Sequence, residues 1–304
     1  MNILGKRYIF FALSLILIVP GLVLLGIKGL PLSIDFTGGT LFEVSFKEGK
    51  TPDTAAILSI YDDAQINDAQ ITATESGSLI IRSSFLTNES RDVVLNALRE
   101  VSGSEVTVLK FDSVGPSIGA QVTQRAAIAV AVSTILVVLF IIWSFRKVPN
   151  AFRYGVCAIL AMIHDIAIIL SITGIGAYFF SWEIDSLFLT ALLTVIGFSM
   201  QDTIVVFDRI RENSTILRRV EYETLVNHSI VQTLQRSINT QLMTVEFLLL
   251  ALAMFGGITL REFAIILLVG LLSGTYSSIF VAAPILVLWE KREWTTWFGR
   301  GANA

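Results

Sequence analysis

Asp202 stands inside the apolar run Ile184–Val206, six residues before Asp208-Arg209, where the sequence turns polar. At 1.5 Å per helical residue its carboxyl lies roughly 9 Å from that boundary. An ionisable group inside a membrane span costs about 2.5–3.5 kcal/mol on insertion scales, so it needs a partner, water or a function. A desolvated carboxyl can take up and release a proton; a static interhelical hydrogen bond or ion pair is the alternative. His164 and Asp165 form a second polar pair within the run Tyr154–Ile172, readable as a satisfied structural pair or as a polar cavity and relay. Arg236, Asn239, Met243 and Glu246 recur at spacings of three and four. They therefore share one helical stripe, which should face protein or water rather than lipid. Arg236 alone could equally be a snorkelling anchor.

Other chemistries find little support. Gly115-Pro116-Ser117-Ile118-Gly119 matches a hydrolase G-x-S-x-G elbow, but that elbow needs a histidine converging on the serine. The histidines, His164 and His228, fall within and beyond apolar runs, so a flexible hinge is the expectation for this segment. The sequence has no P-loop, no H-E-x-x-H and no C-x-x-C, and its single cysteine, Cys157, excludes a disulfide framework. No enzymatic activity and no cofactor are expected. A net charge of −3 gives no reason to expect nucleic acid.

These polar groups must be held by membrane helices. Of 304 residues, 54% are hydrophobic and 15% charged, against about 25% charged in soluble domains. Six runs approach the length that crosses a bilayer: about Tyr8–Ile27, Ala126–Phe145, Tyr154–Ile172, Ile184–Val206, Thr240–Phe255 and Phe263–Trp289. The first reads as an uncleaved anchor. Basic residues collect before the first run, between the second and third, between the fourth and fifth, and after the sixth. The positive-inside rule then makes both termini cytoplasmic. Leu225, Val226, Ile230 and Leu234 suggest an amphipathic helix in the connection near residues 209–238, and Gly270 and Gly274 form a G-x-x-x-G packing motif.

Residues 31–124 are polar and mostly acidic, and should form an external domain. Expected there are a strand over Ile34–Phe46, a helix starting at Thr51-Pro52, strands at Ala69–Thr74 and Leu79–Ser83, a helix over Asn88–Val101 and a strand at Val106–Phe111. The order β-α-β-β-α-β suggests a ferredoxin-like unit. The layout is thus a first span within residues 1–30, the external domain at 31–124, five spans within 125–290 and a cytoplasmic tail at 291–304.

Five segments, in order, carry a resemblance to the SecD/SecF branch of the resistance-nodulation-division superfamily. They are Ile34-Asp35-Phe36-Thr37-Gly38-Gly39-Thr40, Val114 through Gly119, the His164-Asp165 pair, Thr194 through Asn213, and Gly270 through Phe280. The resemblance covers nearly the whole chain. It implies a bacterial inner-membrane subunit that works with SecD and the SecYEG channel, with YajC and YidC as further associates, and uses the proton motive force to aid export of polypeptides. It places the proton-responsive carboxylate at Asp202 and its arginine at Arg236. It leaves two departures, Gln201, where the family pattern has Asn, and Glu246, where an uncharged residue is expected; with His164, Asp165 and Asn239 these are the candidates for a relay or polar cavity. Gly197, Gly270 and Gly274 are its packing glycines. The rival readings are a proton-coupled exporter of small solutes or lipids, and a scaffold of the channel without coupling.

Overall fold

The structure is a computed structural model, and it describes residues 3–47, 51–73, 77–146, 151–241 and 247–293. Two compact units are present: Leu32–Ile128, and Met1–Pro31 with Ala129–Ala304.

The smaller unit runs α2 (Ile34–Thr37), β1 (Gly39–Phe46), α3 (Thr54–Asp63), β2 (Gln70–Ala73), β3 (Ser78–Ser83), α4 (Asn88–Ser102) and β4 (Val106–Val114), then enters α5 (Pro116–Phe145). Its sheet has the order β2-β3-β1-β4, and every neighbouring pair is antiparallel. Alternate residues Phe42, Val44 and Phe46 of β1 point one way and are buried with Ile57, Tyr61, Ile81, Val94 and Leu98, as the two-residue period of a strand requires. The α4 helix starts on the Thr87 hydroxyl, which accepts from the Ser90 N–H, and ends at Gly103 in the left-handed region.

Three expectations are corrected here. The strand expected from Ile34 begins only at Gly39. Ser33 caps a short helix over Ile34–Thr37, and Gly38 and Gly39 then turn the chain with φ of 72° and 119°. The helix expected at Thr51-Pro52 starts at Thr54, because Asp53 takes the cap position with extended backbone at ψ 141°. The Gly115–Gly119 segment, expected as a flexible hinge, is helical from its second residue. Pro116 opens α5, and a Cβ on Gly119 would lie 2.7 Å from the Gly38 nitrogen, so the segment is a packed joint.

The larger unit contains α1 (Arg7–Lys28), the remainder of α5, α6 (Ala151–Phe180), α7 (Ser186–Ile216), α8 (Tyr222–Gln241), α9 (Phe247–Phe255), α10 (Ile258–Ser277), a π-helical segment Ser278–Ala282 and α11 (Ala283–Lys291). Among the described residues, five helices are long and apolar enough to cross a membrane: Leu4–Lys28, Pro116–Phe145, Ala151–Phe180, Ser186–Ile216 and Leu260–Lys291. The run expected over Thr240–Phe255 falls partly on residues 242–246, outside the described residues. α10 packs on both α6 and α7, and α1 packs on α6.

Small residues allow these approaches. A Cβ on Gly21 of α1 would sit 2.0 Å from the Ser171 carbonyl oxygen of α6, and one on Gly174 would sit 2.6 Å from that of Gly21. The Ser171 hydroxyl donates across the same contact to the Leu17 carbonyl at 2.6 Å. On α10, a Cβ on Gly270 would meet Val195 at 2.4 Å, and one on Gly274 would meet the Ser199 Cα at 3.1 Å. Gly197 has no neighbour within 4 Å of a Cβ position.

Candidate functional site

Ser273, Thr275 and Ser277 lie on a short stretch of α10. Residues four apart share a helical face while the one between them points away, so this stretch addresses two carboxylates at once. The Ser273 hydroxyl donates to Asp165 Oδ1 at 2.6 Å and the Ser277 hydroxyl to Oδ2 at 2.7 Å. From α7, the Ser199 hydroxyl donates to Oδ2 at 2.5 Å. His164 Nδ1 lies 3.0 Å from Oδ1. Asp165 is 1% exposed. Four donors thus fill the lone-pair positions of its two oxygens, the arrangement a buried carboxylate requires. The close contact at Gly274 brings Ser199 within reach, so packing and polar satisfaction share one cause.

An ionised Asp165 only accepts, and beside it His164 donates through Nδ1, which leaves Nε2 to the other side of the ring. Ser14 Oγ of α1 lies 2.9 Å from that nitrogen. The Tyr276 ring stacks on the imidazole with centroids 5.9 Å apart, and its hydroxyl donates to the Phe10 carbonyl at 2.8 Å. One polar cluster therefore joins α1, α6, α7 and α10.

Asp202, on α7, is 6% exposed. The Thr275 hydroxyl lies 3.2 Å from its Oδ2 and 3.4 Å from the Leu271 carbonyl. That hydroxyl can donate to an ionised Asp202. It can also turn to Leu271 and accept from a protonated Asp202. Directly after this stretch the helix passes into its π segment, a distortion frequent at functional sites.

The other sequence candidates are placed differently. Gln201 is exposed on α7, and Arg236 and Asn239 are exposed on α8. No ion pair joins Arg236 to Asp202 among the described residues. Met243 and Glu246 lie outside the described residues. Sequence reasoning missed Ser14, Ser199, Ser273, Thr275, Tyr276 and Ser277 as partners of the acidic groups, and Gly21 and Gly174 as contact points. A signal was present in the i, i+4 spacing of Ser273 and Ser277 within an apolar helix, and in Ser14 as the lone serine of the first run.

An ionic network lies at the N-terminal end of α1. Arg7 donates to Glu223 at 3.0 Å and to both oxygens of Glu293 at 2.7 Å, while Lys291 pairs with Glu221 at 2.9 Å and also with Glu223. The Ile3 N–H donates to the Asn227 side chain at 2.8 Å. The hydrogen bond from Lys291 holds the Glu223 carboxyl below the ordinary carboxylate range, with Arg7 adding to the effect. Three segments distant in sequence are clasped here, and the buried Leu225, Val226 and Ile230 of α8 complete the contact.

Comparison with known proteins bears on this geometry. The family described as "Protein export membrane protein SecD/SecF, C-terminal" matches residues 93–292, and the "SecD/SecF GG Motif" matches residues 23–50. The chain is 60% identical to the protein translocase subunit SecF of Anaerolinea thermophila, covering 100% of this chain and 98% of that protein. It is 43% identical to the corresponding subunit of Thermobaculum terrenum, over 98% of this chain and 97% of the relative. The crystal structure of SecDF from Thermus thermophilus, titled a translocon-associated membrane protein, superposes with a TM-score of 0.78 at 34% identity. The match covers 96% of this chain and 39% of that longer one.

Proposed function

The chain belongs to the SecD/SecF family of protein-export membrane proteins and is a SecF-like subunit of the Sec translocase; from that premise we propose that it couples proton movement through Asp202 to polypeptide export. In this reading it resides in the bacterial inner membrane with both termini cytoplasmic. A sixth span crosses near residues 240–255, and residues 31–124 form a ferredoxin-like domain on the external side. The sheet order β2-β3-β1-β4, with α3 and α4 packed into one core against it, supports that domain reading. Its partners are SecD and the SecYEG channel, with YajC and YidC as further associates. The coupling ion is the proton, and no cofactor or catalytic reaction is assigned.

The observation that carries the proposal is the Thr275 hydroxyl, which has an acceptor at Asp202 and another at Leu271. A carboxyl beside such a rotor keeps a hydrogen bond whether charged or neutral, which is what a group cycling between the two forms needs. The same stretch of α10 holds Asp165 through Ser273 and Ser277, so a change at Asp202 acts on a helix anchored elsewhere in the bundle. One proton crossing about 100 mV releases about 2.3 kcal/mol, enough to bias a two-state equilibrium about fifty-fold. Arg236 is the proposed counter-charge in the state where Asp202 is ionised. That state requires α8 to present Arg236 inward, a rearrangement from its exposed position here.

The test is export into vesicles carrying the SecD partner and the channel, with and without an imposed proton gradient. Asp202→Asn should assemble normally and lose the stimulation by the gradient. Assembly with full stimulation would leave a scaffold without coupling.

A further inference from the structure

We propose that His164 is a second proton-binding side chain of this subunit, with Asp165 as its fixed counter-charge and the Ser14 hydroxyl as the group that responds to its protonation state. The use of that proton in export rests on the coupling reading above; its chemistry does not.

The contacts around the imidazole define two complete hydrogen-bond patterns. In the neutral ring, Nδ1–H donates to Asp165 Oδ1, and Nε2 accepts from the Ser14 hydroxyl 2.9 Å away. When a proton from water binds Nε2, that nitrogen becomes a donor and Ser14 Oγ accepts from it. The Ser14 hydrogen then turns to the Tyr276 oxygen, 3.4 Å away. Tyr276 keeps its own bond to the Phe10 carbonyl in both states. The proton returns to water when the ring is again neutral, and no other bond is made or broken. Ser14 belongs to α1 and Tyr276 to α10, so the charge on His164 decides whether the Ser14 hydroxyl bonds to α6 alone or also adds a second bond between α1 and α10 beside that of Tyr276 to Phe10.

The surroundings suit a cation at this ring and disfavour moving the proton to its neighbour. Asp165 already accepts from Ser199, Ser273 and Ser277 besides His164, so protonating it would make one of these donors turn away; Ser277 has a second acceptor in the Gly274 carbonyl at 3.2 Å. The Tyr276 ring lies over the imidazole face, where an imidazolium is favoured electrostatically. Few other charges stand on the helices packed around it. On α1 the nearest are Arg7 and Lys28, seven and fourteen residues from Ser14. On α7, Asp202 lies three residues beyond Ser199, and on α6 the next charged residue is Arg153. Residues 263–289, spanning most of α10, the π segment and most of α11, carry no charged side chain. The His164 side chain keeps 9% of its surface open.

Nitrogen NMR of histidine-labelled full-length chain in lipid bilayers tests this directly. The sequence has two histidines, so His228→Gln, at an exposed position of α8, leaves His164 as sole reporter. The expected result is passage from one protonated ring nitrogen to two between about pH 8 and pH 5. Ser14→Ala removes the acceptor of a charge-assisted bond and should lower the midpoint by roughly half a unit to one unit. Asp165→Asn, if it folds, should lower it by about one unit or more. A single neutral tautomer from pH 8 to pH 5, or a midpoint indifferent to Ser14→Ala, would overturn the proposal. In Asp202→Asn the titration should persist while gradient-driven export is lost. Persistence of both would defeat the coupling role of Asp202 and leave His164 as a proton site.

Discussion

Asp165 and Asp202 are both buried acids on central helices, and both are met by hydroxyls from residues 273–277 of α10. Their surroundings differ in kind. Asp165 is enclosed by donors from three residues on two neighbouring helices as well as by His164, at distances of 2.5 to 3.0 Å. Asp202 meets a hydroxyl with an alternative acceptor on its own helix. A carboxylate enclosed by four donors is an anchor, because any change of its state makes one of them turn away, although Ser277 has a second acceptor in the Gly274 carbonyl. A carboxylate beside a rotor can change state while the partner stays satisfied. The two carboxylates thus meet opposite faces of the same helical stretch, and in the proposed reading Asp165 is the fixed charge and Asp202 the changeable one.

The largest effect that would break this contrast is at Asp165. Asp165→Ala removes the acceptor of the Ser199 and Ser273 hydroxyls and of the His164 N–H, while Ser277 keeps the Gly274 carbonyl; it should cost about 3–5 kcal/mol, visible as a fall in the yield and melting temperature of the purified subunit. Asp202→Asn should leave both near wild type; equal damage from the two would erase the distinction. Next comes Ser199→Ala, which removes one charge-assisted bond and should cost about 1.5–3 kcal/mol. Ser277→Ala should cost the same or less. Smaller again is Thr275→Val, which keeps the shape of the side chain but deletes the rotor. Its thermal stability should fall by about 1 kcal/mol or less, while gradient-dependent export drops severalfold. If export is unaffected, the hydroxyl has no part in the switching.

The smallest effect lies in the ionic clasp, far from either carboxylate. Glu223 titrates below its unfolded value because Lys291 and Arg7 favour its charged form. Its contribution to stability is therefore present above the unfolded carboxylate pKa, and is lost as pH falls through the lower folded value. Acid melting of wild type against Glu223→Gln should diverge above about pH 4 and converge below the folded value.

Much of this organisation was legible in the residues. The apolar runs marked the long helices, because a bilayer sets a length that composition reveals. The order of elements in the smaller unit followed from strand alternation and capping. Asp202, His164 and Asp165 stood out because charge inside an apolar run is rare. Their partners did not, because serine and threonine are common in membrane helices and their roles depend on which helix lies opposite. Only the packing of Gly274 against Ser199 brings Asp165 its donors from two sides. The short helix before Gly38-Gly39 was hidden for a related reason: a four-residue helix is set by its cap and following turn, and leaves no periodicity. Arg236 was singled out by helical spacing, yet it is exposed on α8, since a stripe fixes a face without fixing what it meets.

Infrared difference spectroscopy of the subunit in bilayers, stepped across pH, reads carboxyl protonation directly through the C=O stretch of the neutral acid. One buried carboxyl band should appear on acidification in wild type and vanish in Asp202→Asn, with no matching band removed by Ser199→Ala. A titrating band that survives Asp202→Asn unchanged, with no other band lost, would contradict the assignment of the changeable charge to Asp202.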